Sequence, residues 1–215
     1  MIIKGPLNNA VLKTVGNLAL MFGCLFLFSC ASGQLQQGVE KVAEVKESKP
    51  PEANGFIELE TGIESDFQQA TVLMENGEYA LAVKELESVI NREQRLIAPF
   101  INIAIAYRKT GNTEQAEKNL TIALTMDPLH PVANNELGLI YRKAGKFEEA
   151  RVTYQKIIAN YPEFAAAKRN LGVLCDLYIR DFECALEQFE NYLELNPDDK
   201  NVPIWIADVK QRAGQ

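Results

Sequence analysis

The chain repeats itself every 34 residues, and that periodicity constrains its fold more than any other property. Counting from Ile63, Ile97, Pro131 and Ala165, four successive units carry the same residue types in register. Position 8 is Ala70, Ala104, Gly138 and Gly172, and position 20 is Ala82, Ala116 and Ala150. Such small side chains let two helices approach closely. Position 11 is Leu73, Tyr107, Tyr141 and Cys175, and position 24 is Leu86, Leu120, Tyr154 and the displaced Phe189, which are apolar fillers between paired helices. Gly77, Gly111 and Gly145 fall mid-unit, while Pro128, Pro162 and Pro197 fall at unit ends, so each unit reads as helix, turn, helix, stop. One such hairpin cannot bury its apolar face alone; stacked neighbours can.

The third unit shows the pattern most fully, with Leu137, Gly138, Tyr141, Gly145, Phe147, Ala150, Tyr154 and Pro162 in sequence. This resembles the tetratricopeptide repeat, and the resemblance runs from about residue 63 to 212. It implies an all-α fold: a right-handed superhelical solenoid of four helix-turn-helix repeats (63–96, 97–130, 131–164 and 165–199), plus a capping helix in 200–215. The first unit is atypical, with Gln94 near its end in place of proline and Gln69 at an apolar position, as terminal units often are. The fourth has one extra residue, expected in the turn Leu177–Asp181 and expected to distort it. After Pro197, Val202–Arg212 reads as a short helix with Pro203 in its first turn, offering Ile204, Trp205, Ile206 and Val209 to cover the last repeat.

The N-terminal 62 residues read differently. Lys4 and Lys13 precede Leu18–Phe28, an apolar run of eleven residues, which is short of the roughly 20 that a spanning helix needs. A basic start, a short apolar run and a small residue before a cut mark a secretory leader. Leu27-Phe28-Ser29-Cys30 resembles the lipobox of bacterial lipoproteins, with Phe28 where that family has a small residue. The resemblance implies a signal peptide over 1–29, acylation of Cys30, and anchorage to the outer membrane on its periplasmic side, for which Ala31 resembles the sorting pattern. Residues 30–62, rich in Gln, Glu, Lys, Pro and Gly, lack the apolar surface to offset ordering entropy and read as a tether.

With 22 basic and 29 acidic side chains the formal charge is −7, which argues against a nucleic-acid binder, since phosphate contacts require clustered Lys and Arg. Charge sign is nevertheless segregated, Arg108, Lys109, Arg142, Lys143 and Arg169 outnumbering Glu136 and Asp176 on one face of the first helices. Positions 4, 7, 8 and 11 of each first helix point toward its partner, and the opposite face is free for another role. In the tetratricopeptide family that face lines a concave groove for an extended or helical peptide. Here it carries Glu64, Phe67, Gln68, Thr71, Met74 and Glu75 in the first unit, then Ile101, Asn102, Ile105, Arg108 and Lys109 in the second. The third supplies Asn135, Glu136, Leu139, Arg142 and Lys143, and the fourth Arg169, Asn170, Val173, Asp176 and Leu177. A basic lining attracts an acidic segment or a C-terminal carboxylate. The amides of Asn102, Asn135 and Asn170 can pair with a partner's backbone whatever its sequence. The competing reading is that Ile105, Leu139 and Val173 pack helix against helix along the floor, and that paired basic residues at a helix C-terminus answer its dipole.

Cys175 and Cys184 stand on the two helices of the fourth unit, where an oxidising compartment permits a disulfide and simple core packing is the other reading. His130, the only histidine, lies at a repeat boundary as a loop side chain without neighbours of metal-site spacing. No motif supplies a nucleophile with its base or a carboxylate pair, and no cofactor, metal or catalytic role is expected. The functional expectation is a non-catalytic protein-binding scaffold of the envelope, anchored through its N-terminal lipid and resembling repeat lipoproteins of pilus or secretin assembly. A self-associating structural module, or an adaptor for cell-wall hydrolases, is the alternative.

Overall fold

A computed structural model describes residues 2–4, 7 and 60–214. Cys30, the cleavage motif before it and most of the leader and tether lie outside these residues. Nine α-helices and one π-helical turn follow in order among the described residues. They are α1 (Ile63–Glu75), α2 (Tyr79–Arg92), α3 (Ile97–Lys109), α4 (Thr113–Met126) and α5 (Pro131–Lys143), then α6 (Phe147–Asn160) and α7 (Ala165–Leu174). The π turn (Cys175–Ile179) continues α7 and precedes α8 (Phe182–Leu195) and α9 (Val202–Ala213). No helix among the described residues is long and apolar enough to cross a membrane.

Each odd-numbered helix from α1 to α7 packs antiparallel to the even-numbered helix after it, and each even-numbered helix packs on the next hairpin. Helices α1, α3, α5 and α7 also touch in succession, forming one layer, with α2, α4, α6 and α8 forming the other. The small positions sit where the layers meet: Ala70, Ala82, Ala104, Ala116, Ala150 and Ala185 are all buried, as are Gly138 and Gly172. Apolar packing falls into two clusters, one spanning α1 to α5 and one spanning α6 to α9, with Phe164 against both.

Backbone chemistry explains the turns. Helices α1, α3 and α5 end with Gly77, Gly111 and Gly145 in the left-handed region, at φ 79°, 87° and 76°. The residue after each glycine donates its N–H back to a carbonyl in the last helical turn: Glu78 to Leu73 at 2.9 Å, Asn112 to Tyr107 at 2.8 Å and Lys146 to Tyr141 at 2.9 Å. Carbonyls that the helix itself leaves unpaired are thereby satisfied. In the fourth unit Arg180 takes the left-handed place at φ 62°, and Asp181 donates to Cys175 at 2.9 Å.

The extra residue of that unit does distort this stretch, as expected from sequence: Cys175–Ile179 is a π turn, Arg180 is the one non-glycine at positive φ among the described residues, and the Asp181 bond spans one residue more than its counterparts. A π turn accommodates one more residue without lengthening the helix, and Cys175–Ile179 absorbs the insertion upstream of an otherwise equivalent stop. The cap differs from its expected form in detail. Val202 and Val209 of α9 are fully buried and Trp205 and Ile206 half-buried, but Ile204 is 66% exposed and covers nothing.

Candidate functional site

The face of the α1, α3, α5 and α7 layer that turns away from the second layer holds a segment of the chain itself. Asn102, on α3, is 0% exposed. Its Oδ1 accepts the N–H of Ile3 at 2.9 Å and its Nδ2 donates to the carbonyl of Ile3 at 3.0 Å, so one amide reads both main-chain groups of one residue. Ile2 and Ile3 pack against the apolar cluster that contains Met74, Ile101 and Ile105. Lys4 forms an ion pair with Glu75 at the end of α1, and the N–H of Leu7 donates to Glu64 Oε2 at 3.1 Å. Sequence reasoning assigned residues 2–7 to a leader and no pattern in them marks this contact; the one available signal was the two-way pairing capacity of the Asn102 amide.

Burial along this face is graded. At the ninth position of the inner helices Thr71 and Ile105 are buried, Ile105 to 1% exposure, while Leu139 and Val173 keep part of their surface open. The buried pair lies at the end where residues 2–4 are seated. Asn135 and Asn170 take each other as partners, Asn170 Nδ2 donating to Asn135 Oδ1 at 2.9 Å across neighbouring helices α5 and α7.

The five basic side chains of the face are not equivalent. Arg108 Nε donates to Glu136 Oε2 at 2.5 Å, and the Glu136 side chain is 2% exposed, so this charge is spent inside the solenoid. The guanidinium of Arg142 lies 5.7 Å from the centroid of the Tyr178 ring, and that of Arg169 lies 5.0 Å from the Trp205 ring. Lys109 and Lys143, in the last turns of α3 and α5, are exposed. Asp176 is paired with Arg212 of α9 at 2.6 Å, and the ring of Trp205 sits 5.6 Å from that of Phe189, so the capping helix closes the far end of the face.

Cys175 and Cys184 are joined by a disulfide, with Cα atoms 5.9 Å apart, which clamps the π turn to α8. Asp181 brings a third ligand-type atom within 4.8 Å of the two sulfurs. It is already committed: its Oδ1 caps α8 by accepting from Cys184 N at 3.1 Å, and its Oδ2 pairs with Arg151 at 2.5 Å. His130 is more than a loop side chain, since its Nδ1 accepts from Ala133 N at 3.4 Å as the N-cap of α5. Desolvation lowers its pKa, against a smaller opposing effect of Asp127. Burial also raises the pKa of the Tyr154 phenol.

Comparison with known proteins agrees with this geometry. The tetratricopeptide repeat family model matches residues 101–163 and 136–177. Human tetratricopeptide repeat protein 13 is 31% identical over 140 residues, covering 63% of this chain and 16% of that protein. The type IV pilus assembly protein PilF of Pseudomonas aeruginosa is 28% identical over 149 residues, covering 51% of this chain and 58% of that one. The chain thus spans less than two thirds of either relative. A solved structure from the functional characterisation of Pseudomonas aeruginosa pilF superimposes with a TM-score of 0.65 at 20% identity, over 71% of this chain and 69% of that one, which is a likeness of fold. The hairpins that build this face stack as the superhelical solenoid of tetratricopeptide-repeat structures, and the family model matches them from α3 into the π turn.

Proposed function

We propose that this chain is a non-catalytic scaffold that holds a protein or peptide on the α1, α3, α5 and α7 face. It is anchored by acylated Cys30 to the outer membrane, faces the periplasm, and assists assembly of a pilus or secretin. The observation that carries the binding reading is the pairing of Asn102 with both main-chain groups of an extended segment, because a buried amide that reads backbone accepts a visitor without regard to its side chains. The likeness to PilF, over half of this chain, supports the assembly role. The leader-like run and Cys30 support the anchor.

Beyond Asn102, exposed Lys109 and Lys143 with the ring-stacked Arg142 and Arg169 favour an acidic segment or a terminal carboxylate on the α5 and α7 half. Arg108 belongs to the fold and contributes no free charge there. The self-associating alternative needs Trp205, which is already engaged by Phe189 and Arg169.

Two measurements test this reading. Incorporation of labelled fatty acid in cells is expected for the native chain and lost in Cys30→Ser; incorporation that persists overturns the anchor. Crosslinking in the envelope is expected to join the protein to pilus or secretin subunits, and Lys109→Glu with Lys143→Glu is expected to lower the yield at least five-fold. An unchanged yield overturns the charged-groove reading, and a strictly self-crosslinked product overturns the scaffold.

A further inference from the structure

We propose that the cleft between α6 and α8, in the layer opposite the groove, binds the arginine side chain of a partner protein, with Gln188 accepting from its guanidinium and Glu183 and Glu187 answering its charge. The site is separate from the groove and does not depend on what the groove holds.

The cleft has a volume of about 480 Å³, and Ile158 and Ala159 of α6, Leu171 of α7 and Cys184 of α8 give it apolar walls. Ligand pockets usually enclose about 300–1,000 Å³, so there is room for a long side chain. Gln188 also lines it. That residue is 7% exposed, and its Oε1 has no hydrogen-bonding partner among the described residues. The preceding repeats do not bury this position. Glu85, Asn119 and Thr153 stand there half-exposed, and Asn119 and Thr153 donate to the carbonyls of Gln115 and Glu149 within their own helices. A desolvated acceptor without a donor is costly, and a ligand N–H in the cleft removes that cost. The last torsion of glutamine is broad, so the amide turns to meet a donor without moving α8.

Charge fixes the sign of the ligand. At one end of the cleft Arg151 and Asp181 neutralise each other at 2.5 Å. Glu183 and Glu187 remain, both exposed, one helical turn apart on α8 and without an ion-pair partner among the described residues. Like charges at that spacing repel, and a cation set between them relieves the repulsion. The ligand must therefore donate N–H, carry positive charge and lay an aliphatic stem on Ile158, Ala159 and Leu171. Arginine does all three, because its planar fork of donors reaches an amide oxygen and a carboxylate together, whereas a lysine ammonium acts as a compact, strongly hydrated point charge.

The test titrates the isotopically labelled full chain with the blocked peptide acetyl-Gly-Arg-Gly-amide and follows backbone and glutamine side-chain amides by NMR. Shifts are expected to centre on α6 and α8, with the Gln188 side chain among them. The same peptide with citrulline for arginine keeps the shape and loses the charge, and is expected to bind at least five-fold more weakly. Glu183→Gln with Glu187→Gln is expected to weaken the arginine peptide by a similar factor; both side chains are exposed, so this variant leaves the core untouched. Gln188→Leu removes the unpaired oxygen and is expected to melt no lower than the native chain while losing the peptide. Absent or scattered shifts, equal binding of the citrulline peptide, or binding indifferent to Gln188→Leu overturns the proposal. Spermidine that binds as tightly as the peptide assigns the cleft to a small free amine and overturns the partner reading. Lys109→Glu with Lys143→Glu is expected to leave this titration unchanged, so failure of the groove and failure of the cleft are read separately; a changed titration places the peptide in the groove and overturns the cleft.

Discussion

Gly138 lacks a side chain because Tyr154 occupies the place where one would be. A Cβ on residue 138 would lie 2.5 Å from Cε1 of Tyr154, and the same relation holds between Gly172 and Phe189, at 2.6 Å. The first two units solve the same packing problem differently. They set Ala70 and Ala104 at the small position and Leu86 and Leu120 at the large one. Pair volume is held roughly constant from repeat to repeat, which keeps the spacing of helices even along the solenoid.

Gly138→Ala should therefore destabilise the protein by about 1–3 kcal/mol, the usual cost of overpacking a rigid core. Combining it with Tyr154→Leu recreates the Ala and Leu pairing of the second unit. A urea double-mutant cycle should show the two changes coupled by at least about 1 kcal/mol, the double variant being more stable than the sum of the singles predicts. Additive costs would mean that the two residues do not share one packing problem.

The Tyr154 hydroxyl is buried and finds no hydrogen-bonding partner among the described residues. Removing it deletes a desolvated polar group and little packing. Tyr154→Phe should leave stability unchanged or raise it by about 1 kcal/mol. A calorimetric loss above that amount would reveal a bond to the hydroxyl.

Arg108 and Glu136 form a pair in which the carboxylate has almost no access to water. Arg108→Ala strands that charge and should cost about 3–5 kcal/mol, whereas Arg108→Ala with Glu136→Gln should recover most of it. Chemical denaturation of the three variants decides the matter. Charge reversal at Arg108 is therefore a test of folding and not of partner capture, which is why the groove variants proposed above leave it alone.

His130 caps α5 in its neutral form, and its folded-state pKa lies below the ordinary value of 6.5. The unfolded chain takes up the proton first as pH falls. Stability contributed by this residue is thus present above about pH 6.5 and is lost as pH drops from there toward the depressed folded value. His130→Asn replaces the ring-nitrogen acceptor with a capping amide oxygen and removes the titration, so its melting temperature should vary less over that window than that of the native protein.

The Cys175–Cys184 disulfide closes a short loop around the π turn. Reduction, or Cys175→Ala with Cys184→Ala, should lower stability by roughly 3 kcal/mol on the chain-entropy account. Thermal melts with and without reductant measure it, and α7 with α8 should lose amide protection first.

The helical hairpins and their two-layer stacking were legible in the sequence because both are local. A glycine that can adopt positive φ ends a helix wherever it stands, and a small residue opposite a large one packs whichever repeat it belongs to. Ile63, Ile97, Pro131 and Ala165 each open an inner helix for that reason. The departures were of another kind. In the fourth unit the sequence announced a disturbed stretch at Leu177–Asp181, but not that a π turn would take up the extra residue and leave Arg180 as the left-handed stop.

What only the tertiary structure decided was the fate of the polar side chains on the open face. Arg108 finds Glu136 28 residues on, Asn135 finds Asn170 35 on, Asp176 finds Arg212 36 on, and Asn102 finds Ile3 from 99 away. Each pairing joins different structural units, so it depends on the rotation accumulated between them. A repeat pattern records the residue types within one hairpin, while the twist that brings particular atoms within 3 Å arises only when the hairpins are stacked.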